Sequence, residues 1–134
     1  MRSTRALLVV LAGALAVGVL AQTDKAAAPG VKRNIILKQD MSIPGREAVM
    51  ATVDFPPGST EGKHTHPAEV YAFVIEGTIT LSVEGQPTRT VKAGEVFTIP
   101  TGVVHEGSNK TDSPAKATVV FVAEKGKPLT TRVE

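Results

Sequence analysis

Gly58-Ser59-Thr60-Glu61-Gly62-Lys63-His64-Thr65-His66 is the stretch from which the rest of the chain can be read. It follows the hard stop Pro56-Pro57 and ends on two of the three histidines in the sequence, the third being His105. In an extended strand residues i and i+2 project from the same face, so His64 and His66 offer two imidazoles to one point. Neutral imidazole binds divalent first-row metals well, and a third histidine leaves coordination positions open for water or substrate. The plain alternative is three unrelated surface or loop histidines. The His-x-His spacing argues against it.

Outward from this stretch, the pattern is one of short β-rich runs broken by Gly, Pro and Asn, which suits an all-β sandwich or barrel. Strands are expected at 34–38, 47–55, 78–83, 88–91, 95–99, 103–106 and 115–123. Within 47–55, Val49, Ala51, Val53 and Phe55 share one face, and within 78–83 Ile79, Leu81 and Val83 do. The near-continuous apolar run Val70–Ile75 predicts a strand buried on both faces. Tyr71 and Phe73 have the opposite parity to Val70, which sets them on an outer face packed against another strand or a second subunit. No segment after Ala21 carries helical periodicity, and no internal repeat is visible.

At 134 residues there is room for one domain and one core. Residues 1–21 combine Arg2 and Arg5 with an uncharged run from Ala6 to Ala21, and Val19-Leu20-Ala21 precedes Gln22, the three parts of a secretory leader. A spanning anchor would need about 20 apolar residues. The expected organisation is a signal peptide over 1–21, a flexible lead-in over 22–32, a β-barrel domain over 33–123 and a polar tail over 124–134. The full chain has 15 Lys and Arg against 13 Asp and Glu; without the leader's two arginines the count is 13 of each. A neutral domain gives no reason to expect a nucleic-acid partner, and leader removal leaves no membrane segment. The absence of cysteine excludes a disulfide, a thiolate ligand, a thiol nucleophile and a lipid-modified N-terminus. With every histidine claimed by one constellation, a serine-histidine-acid arrangement is disfavoured.

These residues carry a resemblance. Gly58, five residues, His64-Thr65-His66 and then Gly77 match the first motif of the cupin superfamily; Gly94, Pro100, Gly102, His105 and Asn109 match every fixed position of its second. The resemblance implies a double-stranded β-helix, a small jelly-roll-like barrel, holding one divalent metal on His64, His66 and His105. One position departs. The carboxylate of the first motif falls on Val70, with Glu69 one residue early, and a one-residue slip turns a side chain to the other face. Glu69 reaches the metal as fourth ligand only if a bulge re-aims it; strand parity favours Val70 as the inward residue. A site of three neutral imidazoles favours zinc, iron, nickel or copper over manganese.

The resemblance implies either an exported metalloenzyme (dioxygenase, isomerase or lyase) acting on a small organic substrate, or a non-catalytic metal- or ligand-binding module for sensing, sugar binding or storage. Periplasmic or secreted location follows from the leader, and a homodimer through sheet edges from the family's habits. Glu69 and Glu61 are the candidate catalytic carboxylates. Glu61, Thr101 and Glu106 flank the histidines within reach of a ligand, and Asn109 is expected to bond backbone in a turn.

Overall fold

The computed structural model describes residues 30–134, and the regular elements in that span are all strands. They are β1 (Lys32–Asp40), β2 (Arg46–Phe55), β3 (His64–Thr65), β4 (Ala68–Glu76), β5 (Thr78–Val83), β6 (Arg89–Lys92), β7 (Val96–Ile99), β8 (His105–Ser108), β9 (Ala115–Glu124) and β10 (Thr131–Arg132). The expected signal peptide and most of the lead-in lie outside the described residues. No helix among the described residues is long and apolar enough to cross a membrane.

Two antiparallel five-stranded sheets form, in the orders β1-β2-β9-β4-β7 and β10-β3-β8-β5-β6. Alternation creates the inner face: Val49, Ala51, Val53 and Phe55 of β2 are buried, as are Ala115, Ala117, Val119, Phe121 and Ala123 of β9. Val70, Ala72 and Val74 of β4 join them from the same sheet, and Ile79, Leu81 and Val83 of β5 from the other. Burying each larger aliphatic side chain contributes about 1.5–3 kcal/mol, so this shared core holds the barrel without any cross-link. The crossing between sheets is made at Gly77, with φ +71°, where the chain presses against Pro114 and Ala115 at the start of β9.

Four differences from expectation have physical causes. First, β1 begins at Lys32, two residues before the expected first strand, and is already paired there with Asp54. Second, β4 is not buried on both faces: Tyr71, Phe73 and Ile75 are 48%, 46% and 48% exposed, because no layer among the described residues covers the outer face of that sheet. Third, Gly107 and Ser108, expected in a polar loop, extend β8. Fourth, the polar tail is not free: β10 pairs with β3, Thr131 opposite Thr65 and Arg132 opposite His64, and completes the second sheet. Asn109 does bond backbone. Its amide donates to Phe55 O (2.9 Å) and Ser113 O (2.7 Å), and its oxygen accepts from Thr111 N (3.0 Å).

Candidate metal centre

His64 and His105 face each other across the β3–β8 pair, and His66 follows two residues after His64 on the same side. All three are buried, at 4%, 5% and 6% exposure. Their ring centroids stand 4.3–4.9 Å apart, and a nitrogen from each lies within 4.8 Å of the others. His66 also meets the Phe121 ring edge-on at 4.9 Å.

Backbone carbonyls decide which nitrogens are available. His64 Nδ1 is 2.7 Å from Gly62 O, His66 Nδ1 2.6 Å from Leu129 O, and His105 Nδ1 2.9 Å from Val103 O. A carbonyl only accepts, so each Nδ1 carries the hydrogen and each Nε2 keeps its lone pair. Three oriented imidazoles with their second nitrogens committed to carbonyls are the usual support of a metal site. Metal–nitrogen bonds of about 2.0–2.1 Å set ligand nitrogens roughly 3–3.4 Å apart, so these nitrogens, within 4.8 Å of one another, draw together on a bound ion. The donor set therefore fits a divalent transition metal.

Burial pushes the His66 and His105 imidazoles down to about 4, with repulsion among the three rings adding to it. A lowered value means that protons displace metal from these two rings only in acid. Zinc affinity is accordingly expected to fall more steeply with acidity once the pH passes below about 4, where both rings take up protons as well. Equilibrium dialysis from about pH 8 to 3 checks this; a fall in affinity that grows no steeper near 4 contradicts it.

The structure sets Glu61 beside the cluster, lining the same space as His64, and leaves Glu69 away from it. Glu69 stands on the exposed face of β4, where its carboxylate accepts from the Tyr71 hydroxyl at 2.7 Å, while Val70 points into the lumen. No bulge re-aims it, since β4 keeps regular register with β9 from Ala68 to Val74. Glu61 is fixed by two reciprocal bonds: its N–H donates to Gly107 O (3.0 Å), and the Gly107 N–H donates to its Oε2 (3.0 Å). A side chain at 107 would collide with that carboxylate, a Cβ there lying 2.8 Å from Oε2. Burial raises the Glu61 pKa, opposed by His64, the Gly107 N–H, Arg33 and Arg132. Thr101 is exposed in a turn, and Glu106, on the opposite parity of β8, accepts from the Thr60 hydroxyl.

Two spaces share Arg33, Glu61 and His64 as lining. The inner one, of about 30 Å³, is walled by the histidines with Val53, Val70, Phe97 and Phe121. That is room for an ion and a water. The outer one, of about 310 Å³, is bounded by Arg33, Thr60, Glu61, Thr130 and Arg132. Arg33 bonds Thr130 Oγ1 (2.8 Å) and lies 5.7 Å from the centre of the Phe121 ring, and the Arg132 guanidinium bonds Glu61 O. The sequence reading missed both arginines, which come from strands at opposite ends of the chain; neither lies near the histidines in sequence.

Comparison with known proteins agrees with this geometry. The chain is similar to "Germin-like protein 1-1" of Oryza sativa subsp. japonica, 35% identical over 96 residues that make up 66% of this chain and 44% of that relative. It thus spans less than half the length of that protein. Among solved structures it superposes on "Recombinant oxalate oxidase in complex with glycolate" with TM-score 0.64 and 26% identity, covering 80% of this chain and 57% of that one. A double-stranded β-helix protein from Klebsiella pneumoniae gives TM-score 0.66 at 19% identity, covering 81% and 88%, a likeness of fold alone. The family described as "Cupin domain" matches residues 51–121, more than half of the chain, which takes in both the His-x-His pair and His105. By fold, by site and by this match, the chain belongs to the cupin family.

Proposed function

We propose that this cupin is an exported metal-dependent enzyme acting on small organic acids. The observation that carries the reading is the pairing of a buried three-imidazole cluster with an outer chamber flanked by two guanidiniums and a half-buried carboxyl group. His64, His66 and His105 are the proposed ligands of one divalent ion, with zinc, iron, nickel or copper favoured because no carboxylate belongs to the cluster. When bound, the ion supplies a Lewis-acid centre with open positions. The inner space is too small for more than the reacting end of a ligand, so its body occupies the outer chamber. There Arg33 and Arg132 favour a carboxylate, which guanidinium binds in bidentate fashion. Glu61, held on Gly107 and facing both spaces, is the proposed proton-transfer group; its raised pKa lets it keep a proton nearer neutrality than an exposed glutamate would. The glycolate complex of the similar oxalate oxidase supports the same ligand class.

The test uses metal-loaded full-length protein and a panel of hydroxy- and dicarboxylic acids with their uncharged amides. Acids are expected to bind and turn over in preference to amides. Glu61→Gln, which can still accept from Gly107, is expected to retain metal and acid binding but lose about 10²–10⁴-fold in turnover. Arg33→Gln is expected to weaken acid binding roughly tenfold. Binding without turnover of any acid sinks the enzyme and leaves a ligand-binding module, the sensor or storage reading. Preference for the amides sinks the substrate class.

Export is supported by the basic and apolar start of the sequence, and places the protein in a periplasmic or secreted location. The exposed row of Tyr71, Phe73 and Ile75, with Val96 beside it at 63% exposure, supports a homodimer. Sedimentation is expected to give twice the chain mass, reduced to one chain by Phe73→Glu; a monomeric wild type contradicts it.

A further inference from the structure

We infer that the C-terminal segment Leu129–Val133 is a positioning element of the metal centre, so that its docking and metal occupancy strengthen each other. This rests on the metal reading above and concerns what sets the strength of that site. Two of the three carbonyls that orient the imidazoles are local: Gly62 O and Val103 O lie two residues before the histidines they hold. The third does not. His66 Nδ1 is held by Leu129 O, 63 residues further along the chain, with Thr130 Oγ1 3.3 Å away as the next polar atom.

The carbonyl is in place only while the segment is docked. Docking depends on few interactions: Thr131 and Arg132 pair with Thr65 and His64, the Val133 N–H donates to Lys63 O at 3.0 Å, Arg132 bonds Glu61 O, and Thr130 accepts from Arg33. Thr131, Arg132 and Val133 are exposed, and only Leu129 packs against the core. A two-residue strand at a sheet edge with so little apolar burial belongs to the part of a fold that opens most readily. When it opens, His66 loses the acceptor that fixes its tautomer and ring angle, whereas His64 and His105 keep theirs. Loss of such a partner typically weakens metal binding 10–100-fold. Linkage makes the effect reciprocal, since whatever raises metal affinity on docking must favour docking when metal binds. The same segment supplies Thr130 and Arg132 to the outer chamber, so its docking also completes the wall around a ligand.

Zinc titration of the metal-free protein tests this, comparing the full chain with Val133→Pro, which removes the N–H bonded to Lys63, and with a chain ended after Pro128. The expected result is zinc binding 10–100-fold weaker in the shortened chain and at least threefold weaker in Val133→Pro. The metal-free melting temperature of Val133→Pro should stay within a few degrees of wild type, which separates positioning from a general loss of fold. Zinc is also expected to slow hydrogen exchange at the Val133 amide of the full chain. If the full chain binds zinc and Val133→Pro binds it within twofold, or if zinc leaves that amide unchanged, the coupling is overturned. Should the shortened chain fail to fold, the point variant and the amide decide. A full chain that binds no zinc at all overturns the metal reading instead, a separate outcome.

Discussion

Replacing His105 by alanine is expected to weaken zinc binding by about two orders of magnitude. Folded sites with four protein ligands gain roughly 10–16 kcal/mol from zinc, or about 2.5–4 kcal/mol for each ligand, and 1.4 kcal/mol is a factor of ten. The cost to the metal-free fold is smaller, because the His105 ring makes one hydrogen bond, to Val103 O. Its neutral, buried ring gives no ion pair that the substitution would break. The difference appears as a lost response to metal. At zinc a thousandfold above the wild-type dissociation constant, mass action stabilises the wild type by about 4 kcal/mol and the hundredfold weaker variant by about 1.4 kcal/mol. Melting curves with and without zinc read this directly. An unchanged zinc-dependent rise in His105→Ala contradicts the three-histidine assignment.

Gly77→Ala is expected to destabilise the protein by roughly 3–5 kcal/mol, enough to leave a marginal domain largely unfolded. Two costs combine. The left-handed backbone at φ +71° penalises any side chain by about 1–2 kcal/mol. In addition, a Cβ there lies 2.3 Å from Pro114 O and 2.9 Å from Ala115 Cα, both backbone atoms that cannot swing aside. Relief requires moving the start of β9, whose Ala115 pairs with Phe55 and begins a strand paired on both sides, with β2 and with β4. Gly58→Ala is the internal control, having φ +74° and no atom within 4 Å of the added carbon. It should cost about 1 kcal/mol. Equal losses at the two positions in denaturant titrations contradict the packing argument.

The histidine triad and the inner faces were legible in the sequence because strand parity is a strict period of two. Val49 through Phe55 are buried as that parity requires, and the same rule turned Glu69 outward and Val70 inward. Glu61 was harder to place. It sits in an aperiodic loop, and its burial depends on Gly107, whose missing side chain makes the space; a glycine two residues beyond His105 was the available signal. Residues Val70–Ile75 misled because an apolar run has the same appearance whether its second face is covered or, as at Tyr71, Phe73 and Ile75, exposed. The tail misled for a different reason. Its composition is polar, and it is held mainly through backbone and polar side-chain bonds to the site, which leave no apolar pattern to read.

X-ray absorption at the metal edge of the loaded full-length protein tests the three-histidine centre most directly. The geometry predicts three imidazole nitrogens at about 2.0–2.1 Å, with oxygen from water or ligand filling the remaining positions. A first shell with one imidazole or none, on protein that retains its metal through dialysis, would contradict it.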